Sequence, residues 1–112
     1  LQPNLGNFNS VFNLKHTKDM RVIGYVEHPT LKISVFKNEG RTSVKFETAL
    51  YEQIFKLGDD ERYATLEGVQ KWVDAAFLVQ VNEVFQRLHH IRLEANKRAF
   101  PVQDGQTFEE II

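Results

Sequence analysis

Cysteine is absent from this 112-residue chain. Disulfides, thiolate catalysis and cysteine-ligated zinc are therefore excluded, and a cytoplasmic location is expected. Serine is scarce, with Ser10, Ser34 and Ser43 alone. None of them sits in a Gly-x-Ser-x-Gly elbow. Six glycines form no phosphate-cradling loop, and no His-Glu-x-x-His pair is present. Neither sign of charge dominates: 14 basic against 15 acidic residues give a net charge of −1. Whole-chain attraction to nucleic acid or to an anionic membrane is thereby removed. No apolar run reaches the length of a membrane-spanning helix. The opening Leu1, Gln2, Pro3, Asn4 is not a charged segment leading into an apolar one, as an intact signal peptide requires. The first residue is not Met, which fits a processed or trimmed product or a piece of a longer protein.

What is present is apolar and aromatic. Hydrophobic residues make up 42% of the chain, and nine are Phe. That composition specifies an ordered globule rather than disorder. Its size fits one domain with a modest core. Some of the aromatic surplus is expected to anchor an interface.

The hydrophobic period switches near Thr65. Before it, apolar residues alternate, as in Leu31, Ile33 and Val35. After it they recur every three or four residues: Leu66, Val69, Val73, Phe77, Val81, Val84, Leu88, Ile91. Period two reads as strand and period 3.6 as helix. Strands are expected at 21–28, 31–37, 42–47 and 51–57, the last being the least defined because Thr48 and Ala49 make a poor turn pair. Asn38, Glu39 and Gly40 read as a hairpin turn. Thr65 reads as a helix N-cap and Asp74 as the cap of a second helix from Ala75. Pro101 ends the helical half. The predicted fold is α+β: a three- to four-stranded antiparallel meander followed by one long or two consecutive helices packed on one sheet face. Its core draws on Val22, Leu31, Ile33, Val35, Val44 and Phe46, with Leu66, Val69, Val73, Phe77, Val81, Val84 and Leu88 from the helices. Residues 1–19 form an Asn-rich arm, 20–100 the domain and 101–112 a tail.

The second helix is more apolar than one stripe requires. Phe77, Leu78, Val79 and Phe85 are the expected protein-contact residues, joined by Phe8 in the arm and Phe108 in the tail. The competing reading is a nucleic-acid surface. Arg87, Arg92, Lys97 and Arg98 make the helix end basic, and Tyr25 and Phe36 point away from the apolar strand face, where they offer stacking platforms. Basic residues are also favoured at a helix C-terminus by the macrodipole. His89 and His90 are adjacent, about 100° apart on a helix, so they do not share an ion as an i,i+4 pair does. Asp59, Asp60 and Glu61 lack the spacing of a calcium loop. No metal or cofactor is expected.

The stretch His28-Pro-Thr-Leu-Lys-Ile-Ser-Val-Phe, with Val44-Lys-Phe-Glu and Tyr51-Glu-Gln-Ile-Phe-Lys-Leu, resembles small bacterial proteins of Bacteroidetes-type genomes. The resemblance spans residues 21–90. It implies a bacterial, cytoplasmic β-meander followed by helix and carries no activity or site residues with it. The expected function is a non-catalytic protein-interaction or assembly module, self-associating or part of a larger complex. Nucleic-acid binding is the alternative. An enzyme would need a site assembled from residues distant in sequence.

Overall fold

Glu39 and Gly40 both carry positive φ, at 54° and 77°. This two-residue primed turn matches the right-handed twist of the strands it joins. It links β2 (Lys32–Asn38) to β3 (Arg41–Glu47) in the computed structural model, which describes residues 20–101. Phe8 and Phe108 lie outside those residues. β1 (Met20–Val26) and β4 (Glu52–Gly58) complete one antiparallel sheet in the order β1-β2-β3-β4.

The fourth strand is real, and Thr48 explains it. The Thr48 hydroxyl accepts from the N–H groups of Leu50 and Tyr51, at 3.2 and 3.1 Å. The Thr48 N–H donates to the Tyr51 carbonyl at 2.9 Å. A threonine hydroxyl thus supplies the local bonds that Asn-Gly usually makes unnecessary. His28 acts similarly before β2, where its Nδ1 accepts from the N–H groups of Thr30 and Leu31.

One sheet face is apolar. Ile33, Val35, Val44 and Phe46 are buried on it, because alternate residues of β2 and β3 point that way. Val22 departs from the expected core and is 45% exposed. The register between β1 and β2 shifts between Val22 and Gly24. Ile23 is the extra residue of this bulge and packs against the core in place of Val22. Gly24 then admits Leu66, since a Cβ there would lie 2.7 Å from a Leu66 methyl.

After β4 a single 3-10 turn (Glu61–Tyr63) leads into the helices. Asp60 caps it and also grips Arg62, accepting from its backbone N–H at 2.8 Å and from its guanidinium at 2.8 and 3.1 Å. The guanidinium bond first, then the backbone bond, hold the Asp60 carboxyl down at about 2. The acidic loop is thus a capped turn. Helix α1 (Leu66–Trp72) is capped by Thr65, whose hydroxyl accepts from the Gly68 N–H at 3.1 Å. Helix α2 (Ala75–Ala99) is capped by Asp74, which accepts from the Phe77 N–H at 2.8 Å. Both helices cover the apolar sheet face, and among the described residues no element covers the other face.

Candidate functional site

Helix α2 runs 25 residues, or about 37 Å at 1.5 Å per residue. Strand β4 has seven residues and reaches about 23 Å. The helix is therefore longer than the sheet it covers. Its first half is anchored by aromatics. Phe77 packs on Phe46, Phe55 and Trp72, with ring centroids 5.6, 5.2 and 4.5 Å away. Val81 and Phe85 follow on the same face, both 2% exposed. The Gln53 amide donates to the Val81 carbonyl at 3.0 Å, fixing the level of the helix over β4. Further on, His89 Nδ1 stands 2.9 Å from the Tyr51 hydroxyl, and the Arg92 guanidinium lies 5.9 Å from the Tyr51 ring centroid. Tyr51 directly precedes β4, so residues after Arg92 run past the sheet.

These contacts redistribute the expected protein-contact residues. Phe85 belongs to the core and presents nothing to a partner, because it lies on the centre of the sheet-facing stripe. Phe77 and Leu78 are half-buried against the same core. Val79 is exposed and stands on the outward side of the helix, beside Ala75, Ala76, Asn82 and Glu83. Val84, assigned to the core from its spacing, is 45% exposed, and Ile91 is 48% exposed.

Val84, Leu88, Ile91 and Ala95 follow one another at steps of four, three and four residues. That is the spacing of a helix-packing seam. Leu88 is half-buried at its base, and Ala95 is exposed. The seam has a definite side. Asn82 and Gln86 line a cleft of about 340 Å³ with Thr30, Leu31 and Thr48, near the start of β2. At about 100° per residue, Val84 and Ile91 lie roughly opposite Asn82. The seam therefore faces outward past β4, the last strand of the sheet. Arg87, Glu94 and Arg98 border it, together with His90, whose Nε2 is 3.7 Å from a Glu94 carboxylate oxygen.

The open sheet face is a lattice of long side chains. The pairing puts Tyr25 beside Ser34, then Lys45 and Ile54 in the same row. Val22, Phe36, Ser43 and Lys56 form the next row. Lys32 lies 6.0 Å from the Tyr25 ring centroid, and Lys45 5.4 Å from that of Phe36. The two halves of the nucleic-acid reading are separated here. Tyr25 and Phe36 stand on the open face, whereas Arg87, Arg92, Lys97 and Arg98 belong to the helix covering the opposite face.

The histidines are dispersed. His28 caps a turn, His89 is packed against Tyr51, and His90 stands beside Glu94. Among the described residues no three His, Asp or Glu side chains gather as a metal site, and no helix is long and apolar enough to cross a membrane. No family model matches the chain, and neither a curated protein nor a solved structure shows significant similarity to it.

Proposed function

We propose that this chain is a non-catalytic assembly module, acting as a homodimer or complex subunit in a bacterial cytoplasm. The carrying observation is the Val84, Leu88, Ile91 and Ala95 seam on α2, which turns apolar surface outward beyond the last strand. Exposed apolar residues scattered singly are ordinary. Apolar residues aligned at helix-packing spacing on one flank mark a contact surface. The groups that would otherwise invite chemistry are spent on structure: Asp60 and Asp74 cap helical turns, and His89 holds Tyr51.

The test is light scattering after size exclusion, over a concentration series. The expected result is a species larger than the monomer. Replacing both Val84 and Ile91 by Glu should reduce it to monomer, while Val79→Glu leaves it assembled. A wild-type chain that stays monomeric throughout, or a V84E/I91E variant of unchanged mass, overturns the reading.

A further inference from the structure

We propose that β4 pairs antiparallel with β4 of a second copy of this chain, in the register that sets Ile54 opposite Ile54. This inference rests on the assembly reading and specifies its geometry. It starts from the hairpin. The Thr48 and Tyr51 backbones bond to each other, and in an antiparallel ladder bonded pairs alternate. Gln53 and Phe55 therefore direct their backbone groups toward β3. Glu52, Ile54 and Lys56 direct theirs outward, where no described residue pairs with them.

The two sheet edges are not equivalent. A bulge at Ile23 interrupts the middle of β1, a device that blunts an edge against pairing. In β4 the irregularity falls near its end, between Lys56 and Gly58, and residues 52–56 run regularly. A regular strand edge with unpaired donors and acceptors is a template for another strand.

The side chains choose the strand and its register. Glu52, Ile54 and Lys56 alternate onto the open face, and Ile54 is 53% exposed. With Ile54 on a two-fold axis, each Glu52 faces the other copy's Lys56. Sliding one strand by two residues loses both Glu52–Lys56 pairs, and sliding it by four brings Glu52 opposite Glu52 or Lys56 opposite Lys56, which like-charge repulsion disfavours. Within one copy Glu52 already stands opposite Glu47. A lysine arriving on its other side relieves that like-charge pair and continues the row Lys32, Glu47, Glu52. Gln53 reaches the Val81 carbonyl and Tyr51 meets His89, so Val84 is level with the entry of β4.

Charge exchange tests the register. Glu52→Lys and Lys56→Glu are both exposed substitutions, and each alone converts two attractive pairs into two repulsive ones. Each should weaken dimerisation about tenfold. The E52K/K56E double variant restores both pairs and should return to within about threefold of wild type. The absence of native cysteine allows a second measurement. Opposed residues of a bonded antiparallel pair have Cα atoms about 5.5 Å apart, within disulfide reach. Ile54→Cys should therefore cross-link to a covalent dimer under oxidised glutathione, and Glu52→Cys should not. A dimer that ignores the charge variants and does not cross-link at position 54 overturns the strand pairing and leaves the α2 seam reading standing. A wild-type monomer overturns both.

Discussion

The Tyr51 hydroxyl stands 2.9 Å from His89 Nδ1 and ties the entry of β4 to the middle of α2. The rings meet edge-on, with centroids 5.8 Å apart. His89 is 9% exposed, and its Nε2 is buried without a partner among the described residues. The imidazole thus depends on Tyr51 for its polar contact. Tyr51→Phe should cost about 1–3 kcal/mol, because it leaves a buried acceptor or donor unmade. Adding His89→Leu removes the orphaned group and should recover most of the loss. Urea unfolding of the two single variants and the double variant measures both effects, and simple additivity would show that the contact carries no coupling.

Phe46 and Ile54 are both apolar residues of the same β-hairpin, but they face opposite sides of the sheet. Phe46 is fully buried, with Phe55 and Phe77 rings at 5.7 and 5.6 Å. Phe46→Ala should destabilise the monomer by about 3–5 kcal/mol. Ile54→Ala should change its stability by no more than about 0.5 kcal/mol. Denaturation at a concentration where the chain is monomeric separates the two, and equal losses would contradict the assignment of sheet faces.

Asp60 sets a pH dependence with a definite sign. Its folded carboxyl is held at about 2, below its ordinary 3.8, because Arg62 bonds the ionised form through its guanidinium and its backbone N–H. The contact therefore supports the folded state fully above about pH 4. That support declines as the pH falls through about 2. Carboxyl-detected NMR should place the Asp60 midpoint near the lower value. In Arg62→Gln the midpoint should rise part of the way toward 3.8, the backbone N–H still holding the remainder. A midpoint unmoved by that substitution would assign the depression to another group.

The architecture was legible because it rests on local chemistry. Alternation at Leu31, Ile33 and Val35 and at Val44 and Phe46 marked the buried sheet face, and those five residues are buried. Thr65 and Asp74 bond the N–H groups three residues on, as short polar side chains at helix starts do. The fourth strand was less legible because its turn is built on a threonine hydroxyl rather than on a backbone with positive φ. Val22 was misassigned because a bulge reverses the sheet face for everything on one side of it. The candidate site was read only in outline. An excess of apolar residues on α2 was evident, but periodicity alone does not say which flank of a helix meets the sheet. Phe85 and Val84 are neighbours in sequence, and the docking of α2 on Tyr51, Gln53 and Phe55 buried the first and exposed the second.

The sequence by itself therefore determined the class of fold, the order of its elements, the caps and breaks of the helices, and the absence of cysteine chemistry. Each of these follows from residues a few positions apart, whose backbone preferences and hydrogen bonds act locally. Tertiary structure alone decided which apolar residues were left over. It put the basic residues on the helix layer and Tyr25 and Phe36 on the opposite face of the sheet. It also set the α2 seam and the edge of β4 on one side of the molecule. Those outcomes depend on helix rotation and strand register, and these are fixed by contacts between segments distant in the chain.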